Sequence, residues 1–215
     1  MRYFTADLHL GHLKVAKIRF PESAEHLSDD NLLSLHDGVI LRQIQHLTKR
    51  DDLYILGDIS SGSAAQERSA LSRLARLKNS YGFNLHLISG NHDSVSSIHK
   101  RGRRKQREFL ETFDSVQQFA PIDIAGQTLL MSHFPYANLG DGAGRDGARY
   151  LEFRLPDMGY PLIHGHTHQR TYWNGIDPKQ YCVSWDASRD LVPENRIEKW
   201  VDETSILWEW AGANA

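Results

Sequence analysis

Residues 85–93 read Leu85-His86-Leu87-Ile88-Ser89-Gly90-Asn91-His92-Asp93. Residues 85–88 form an apolar run of strand length, and Gly90 stops it. Asn91, His92 and Asp93 follow at once, so metal-competent side chains stand where a strand ends. Four other segments share this form. Residues 3–6 run into Asp7-Leu8-His9, and 53–56 into Gly57-Asp58. Residues 128–131 run into Ser132-His133, and 160–163 into His164-Gly165-His166-Thr167-His168. Ligands of α/β sheets gather beyond the carboxyl ends of strands. Five such ends lying side by side in space would carry their polar residues to one spot.

Between these strands the chain reads as amphipathic helix, which makes the whole an α/β layered fold. Ser28-Asp29-Asp30 offers a helix start, and Leu32, Leu33, His36, Ile40, Ile44 and Leu47 follow at helical spacing. Residues 64–77 read as a second helix with Leu71, Leu74 and Leu77 on one stripe. Residues 122–124 and 128–131, joined through Ala125-Gly126, read as a hairpin. Residues 183–185 and 205–210 read as closing strands around a short helix at 194–201. Residues 138–147, rich in glycine and charge, read as a mobile loop.

At 215 residues the expectation is a single domain over 1–215. The chain is 40% hydrophobic and 24% charged, the make-up of a soluble globular protein with a real core. A formal net charge of -2 provides no global basic field to announce a nucleic-acid partner. Cys182 is the only cysteine, which excludes an internal disulfide and a thiolate zinc cluster. The amino-terminal stretch lacks the apolar run of a signal peptide, and no stretch approaches the roughly 20 apolar residues of a membrane span. The expectation is therefore a cytoplasmic protein with no membrane partner; its oligomeric state stays open.

Histidine carries the signal. Seven of the twelve (His9, His12, His92, His133, His164, His166 and His168) fall in four short segments. Pooled, the strand ends supply carboxylates, imidazoles and one carboxamide, a mixture that suits Mn²⁺, Fe²⁺, Co²⁺, Ni²⁺ or Zn²⁺ and suits Ca²⁺ poorly. In Asp-x-His and His-x-His, residues two apart on an extended segment point the same way and can reach one centre. Asp7, His9, Asp58, Asn91, His133, His166 and His168 are seven candidates, too many for one catalytic ion. They divide naturally over two ions when one carboxylate bridges, an arrangement that suits phosphoryl chemistry.

The ordered series Asp-x-His, Gly-Asp, Gly-Asn-His-Asp, His and Gly-His-x-His, from Asp7 to His168, resembles the calcineurin-like metallophosphoesterase family. The resemblance implies a four-layer αββα sandwich of two mixed β-sheets flanked by helices. It implies that Asp7, His9 and His168 hold one ion, that Asp58 bridges, and that Asn91, His133 and His166 hold the other. The ions would be divalent transition metals, manganese foremost, with Fe, Ni, Co or Zn as alternatives. His92 would act on the substrate, stabilising phosphoryl oxygens or protonating the leaving group, while a bridging hydroxide attacks phosphorus in line.

Asp58 is followed by Ile59-Ser60-Ser61-Gly62, without the further Asp-Arg of the protein serine/threonine phosphatase branch. That sequence leaves Asp93 as the candidate to orient His92. His12 is an extra imidazole that could reach the substrate phosphate, and His164 reads as structural. His26, His36, His46, His86 and His99 read as surface or core residues. The basic run from Lys100 to Arg107 reads as a solvated face, with steering of a nucleic acid as the rival reading. Trp208 and Trp210 read as sheet packing. The expected activity is hydrolysis of a small or nucleotide-type phosphoester, phosphodiesters and cyclic nucleotides foremost. A nuclease, a phosphomonoesterase and a non-catalytic protein-binding scaffold are the alternatives.

Overall fold

The computed structural model describes residues 1–137, 141, 147, 149–173, 175 and 177–213, with side chains as far as Thr204. The expected mobile loop at 138–147 lies outside the described residues, apart from Asp141 and Gly147.

Two mixed sheets form the centre. In the first, β1 (Arg2–Thr5), β2 (Asp52–Ile55), β3 (Asn84–Ile88) and β4 (Ser115–Gln117) run parallel, and the short β9 (Val192–Pro193) pairs antiparallel with β1. In the second, β5 (Phe119–Ile124) and β6 (Gln127–Ser132) form an antiparallel hairpin, to which β7 (Leu162–His164) and β8 (Gln180–Cys182) add in parallel. The spatial orders are β4-β3-β2-β1-β9 and β5-β6-β7-β8.

The alternation of side chains along a strand builds two cores from the first sheet. Leu53, Ile55, Leu85 and Leu87 point to one face and pack against Ile40 and Ile44 of α3 (Asp29–Ile44), Leu71 and Leu74 of α4 (Ala64–Tyr81), and Phe109 of α5 (Gly102–Leu110). Phe4 and Ile88, with Leu56 just past β2, face the other way. There they meet Ile122, Leu129, Met131 and Ile163 of the second sheet. Two mixed sheets with flanking helices are thus the fold the sequence implied. Helix α3 starts where expected because the Ser28 side chain accepts from the Asn31 amide at 3.3 Å. Helix α4 starts at Ser63 and ends at Gly82, whose φ of 79° is the left-handed stop glycine favours.

Two expectations need correction. Residues 205–210 are helical, not a strand: α7 runs from Glu194 to Ala213. Ile197, Trp200 and Val201 are buried at helical spacing in the inter-sheet core, so the helix that sequence stops at 201 continues. The spacing of Trp208 and Trp210 therefore carries no strand meaning. The expected strand at 183–185 lies earlier, as β8, and Trp185 opens the short helix α6 (Trp185–Ser188) instead. Beyond β8 the chain joins the sheets, with the Val183 amide donating to the His164 carbonyl (2.8 Å) and the Trp185 amide to the Ala6 carbonyl (2.9 Å). That tie brings the ends of β1 and β7 together. The shorter α1 (Leu13–Arg19) and α2 (Pro21–His26) follow β1.

Candidate metal centre

The five polar strand ends meet at one edge of the sandwich. The Asp7 amide donates to the Gly57 carbonyl (2.9 Å) and the His9 amide to the Asp58 carbonyl (3.0 Å), so the loops after β1 and β2 remain paired. The Gly165 amide donates to the His133 carbonyl (3.0 Å), which does the same for β6 and β7. The sheets themselves are joined when the His166 amide donates to the Asp7 carboxylate at 3.0 Å.

Close approach depends on glycine at two of these ends. A Cβ on Gly90 would lie 2.7 Å from the Asp58 amide nitrogen and collide with its carboxylate; one on Gly57 would lie 2.6 Å from Gly90. The backbone is also strained. Asp7, His9, Asp58, His166 and His168 have φ of 58°, 48°, 57°, 69° and 50°. Left-handed conformations at non-glycine residues cost roughly 1 kcal/mol or more each and gather at functional sites. Here they turn the side chains inward.

Asp7, His9 and His168 form one group whose donor atoms lie within 4.8 Å of one another; Asp7, Asp58 and His133 form a second. Asp7 therefore stands in both groups. His9 Nε2 is 3.7 Å from Asp58 Oδ2, and His133 Nε2 is 3.6 Å from Asp58 Oδ1, which puts Asp58 between the two sets. Asn91 Oδ1 lies 3.2 Å from His133 Nε2. The His166 ring stands 5.1 Å from that of His133. All seven expected ligands are thus in one cluster.

The imidazoles fit metal ions in their tautomers as well as their positions. His9 Nδ1 meets the Ser60 carbonyl (3.2 Å), His133 Nδ1 the Leu56 carbonyl (2.7 Å) and His168 Nδ1 the Asp186 carboxylate (2.7 Å). Each outer nitrogen carries the proton it donates, so in the neutral ring the lone pair falls on the inner Nε2. His9 Nε2 and His168 Nε2 face each other at 3.2 Å, where two lone pairs repel unless a cation or a proton lies between them. His166 Nε2 is buried without a hydrogen-bond partner among the described residues; Asp141 Oδ1 is 3.3 Å away but badly angled. A buried unpaired nitrogen is costly, and a metal ion would satisfy it. Burial, then its position beside other groups that can carry positive charge, His168 and Arg19 foremost, pushes the His9 pKa well below its usual value. Burial and the neighbouring His133 push that of His166 down to about 2. Both rings are therefore neutral, as ligands must be.

His92 is part of the cluster without being buried in it. Its Nδ1 meets the Ser61 carbonyl at 3.0 Å, and its Nε2 points inward, 3.9 Å from Asp58 Oδ2. Asp93 does not orient it. The Asp93 carboxylate instead accepts from the backbone amides of Asp58 (2.9 Å), Ile59 (3.0 Å) and Gly90 (2.7 Å). Burial and the charge of Asp58 raise its pKa to about 7. Asp93 thus fixes the Asp58 turn, while a backbone carbonyl aligns His92. His12 packs edge-on against His9 at the mouth of the cavity, with ring centroids 5.3 Å apart. His164 is buried and bonded to the Gly165 carbonyl (2.8 Å), and burial lowers its pKa to about 4, in keeping with a structural role.

Three contributors carried no sequence motif. Asp186 of α6 grips His168 and is held in turn by Arg19 of α1 through bonds of 3.0 and 2.6 Å. Burial opposes ionisation of Asp186, but hydrogen bonds from His168 and Arg19 outweigh it and hold the carboxyl below its usual range. Arg19 also donates to the carbonyls of Asp7 (2.6 Å) and Leu8 (3.1 Å), pinning the strained turn. Asp141, the third, sits beside His166 and pairs with Arg149 and Arg154.

Two mixed sheets with carboxylates and imidazoles converging beyond their strand ends define a metallophosphoesterase. The chain belongs to the calcineurin-like phosphoesterase superfamily, whose domain profile matches residues 6–179. It is similar to the Gene 66 protein of Mycobacterium phage D29, with 37% identity over 207 residues that cover 94% of this chain and 96% of that protein. Its similarity to the Gene 66 protein of Mycobacterium phage L5 is 34% over 208 residues, covering 88% and 93%. Among solved structures, a protein of unknown function from Aquifex aeolicus shares the fold, with a TM-score of 0.61, 22% identity and coverage of 93% and 98%.

Proposed function

We propose that the protein is a two-metal phosphoesterase acting on phosphodiesters of nucleotide type, and that residues 1–215 form a single catalytic domain. The observation that carries this reading is the convergence of seven metal-competent side chains, with inward-facing Nε2 atoms, around Asp58. Asp7, His9 and His168 would hold one divalent ion, Asn91, His133 and His166 the other, and Asp58 would be shared; manganese is the first candidate. When bound, such ions would polarise the phosphoryl group and activate the attacking water.

The remaining work falls to the chain. His92, aligned by the Ser61 carbonyl, directs Nε2 at the cluster, where its imidazolium can donate a proton to the departing oxygen. His12 lines the same opening, within reach of phosphoryl oxygens. The cavity has a volume of about 350 Å³, room for a nucleotide-sized ester. A cytoplasmic setting belongs to the same reading. The lone Cys182 is buried and free, and among the described residues no helix is long and apolar enough to cross a membrane.

Hydrolysis of bis-p-nitrophenyl phosphate and p-nitrophenyl phosphate, measured with Mn²⁺ and then with EDTA, tests this. The expected result is EDTA-sensitive turnover with the diester preferred. Preference for the monoester would make the protein a phosphomonoesterase, and no turnover with any divalent ion would favour a non-catalytic scaffold.

One observation supports a nuclease as the second reading. Arg101, Arg103 and Arg104, at the start of α5, and Arg107, in its last turn, are exposed and have no carboxylate partner among the described residues, whereas Lys105 pairs with Glu108 at 2.7 Å. Cleavage of single-stranded oligonucleotides that weakens steeply with salt, and less steeply after neutralising Arg103 and Arg104, would favour it.

A further inference from the structure

The cavity extends past the metal cluster, between α1 and the loop that follows His168. Lys14, Arg170 and Arg189 line this outer part. None of the three has a carboxylate within ion-pair distance among the described residues. The two acidic residues on the same walls are already matched, Asp186 by Arg19 and His168, Asp141 by Arg149 and Arg154. The outer cavity therefore holds three cations that make no ion pair among the described residues, close to the proposed phosphoesterase site.

Arg189 is positioned rather than loose. Its guanidinium lies over the Trp185 ring, 4.7 Å from the centroid. Its backbone amide donates to the Trp185 carbonyl (2.8 Å), and its carbonyl accepts from Gln43 Nε2 (2.6 Å). Gln43 also accepts from the indole N–H at 2.9 Å, so one side chain fixes both the arginine's backbone and the ring beneath it. The Arg189 backbone is left-handed, with φ of 57°. Burial disfavours the charge on Arg189; Asp186 offsets part of that, and the nearby Arg19 and Arg170 add to it. Like charges so placed raise the energy of the empty pocket and strengthen its attraction for an anion. Opposite them, Val15 and the exposed Ile18 of α1 give the cavity an apolar strip.

We infer that Lys14, Arg170 and Arg189 form a subsite for a second phosphate of the substrate, next to the one that reaches the metals, with Val15 and Ile18 contacting the nucleoside. The inference rests on the phosphoesterase reading and names its substrate class: nucleotides bearing a phosphate beyond the scissile one. That phosphate can belong to an oligonucleotide backbone or to a polyphosphate chain. Arginine suits either, since its planar fork binds phosphate through paired hydrogen bonds.

The test compares thymidine 5′-(p-nitrophenyl phosphate) with the same ester carrying a 3′-phosphate, using Mn²⁺-loaded protein. The wild type should prefer the 3′-phosphorylated ester, and in an Arg170→Gln/Arg189→Gln variant the ratio of the two kcat/KM values should fall about tenfold, as expected when a charge-assisted hydrogen bond is lost. An unchanged ratio overturns the subsite. Both residues are exposed, so the fold should survive; equal melting temperatures would establish that. A second readout needs no turnover: calorimetric binding of thymidine 3′,5′-bisphosphate and of thymidine 5′-diphosphate to both proteins in EDTA. If neither ester is hydrolysed the phosphoesterase reading fails, and the subsite is judged on this binding alone. Weaker binding by the variant supports it, and equal binding rejects it. Tighter binding of the bisphosphate marks a backbone phosphate, and tighter binding of the diphosphate a polyphosphate.

Discussion

His92 is aligned through the Ser61 carbonyl, and the nearest carboxylate to its Nε2, Asp58, is 3.9 Å away. Its removal therefore subtracts a proton donor without unseating a ligand. We expect His92→Ala to keep the wild-type metal content, measured by elemental analysis, while turnover falls by about 10²–10⁴-fold. A metal-free variant would show that His92 holds an ion instead. Gly90 is the complementary case. Alanine there meets Asp58, the carboxylate between both groups, so Gly90→Ala should lose metal and activity together; wild-type occupancy would contradict the shared role of Asp58. Asp186→Asn leaves the fold's apolar contacts alone but weakens the acceptor that His168 and Arg19 share. Loss of such an outer partner typically lowers metal affinity by about 10–100-fold, readable in a chelator competition. An affinity equal to that of the wild type would reduce Asp186 to a bystander. At this scale the candidate ligands were legible because each follows a strand directly, a local pattern. Asp186 and Arg19 were not, since a salt bridge spanning 167 residues leaves no mark on either neighbourhood. Asp93 was misread for a related reason: adjacency to His92 suggested contact, but the turn aims its carboxylate at three backbone amides.

Helix α7 shows how an element can carry two periodicities. Ile206, Trp208 and Trp210 alternate as on a strand, while Ile197, Trp200, Val201 and Thr204 recur at three and four as on a helix. Burial at the start of the segment decides the outcome. Trp200 is buried, packs edge-on against Tyr181 of β8 with centroids 5.3 Å apart, and donates its indole N–H to the Pro178 carbonyl at 3.1 Å. Once that turn is docked, each further residue adds a helical hydrogen bond at little cost, and the chain continues as helix to Ala213. Trp200→Ala should lower stability by roughly 3–5 kcal/mol in urea unfolding, the usual cost of truncating a buried tryptophan. Metal affinity of the folded variant should be unchanged, because α7 contributes no side chain to the cluster among the described residues. A loss under 1 kcal/mol would mean that the helix does not hold the inter-sheet core. Helices α1 and α2 escaped sequence reading because 7 and 6 residues are too few to display a period.

For the molecule as a whole, two sheets share one core, and the groups along its second sheet should make that core sensitive to alkali. Burial pushes the Cys182 thiol up to about 12 and the Tyr181 hydroxyl up to about 12. Tyr136 is raised as well, by burial and then Asp157, while its hydroxyl donates to the Tyr160 carbonyl at 2.7 Å. All three are held protonated in the native state, so at high pH the folded protein binds more protons than the unfolded chain, and stability falls as pH rises. The stabilisation is complete below pH 9, the ordinary thiol value, and is lost progressively as pH climbs through 9 and 10 toward about 12. Melting temperatures between pH 8 and pH 11 should therefore decline. Because Cys182 is the only cysteine and is buried, its reaction with a thiol reagent reports opening of the core. At pH 8 the thiol should react fully in urea and negligibly in the native protein. The native rate should then rise with pH faster than that of a free thiol, since each step both weakens the fold and ionises the exposed sulfur. A melting temperature flat to pH 11, or a native thiol that reacts at the free rate at pH 8, would show that the second sheet does not close over Cys182.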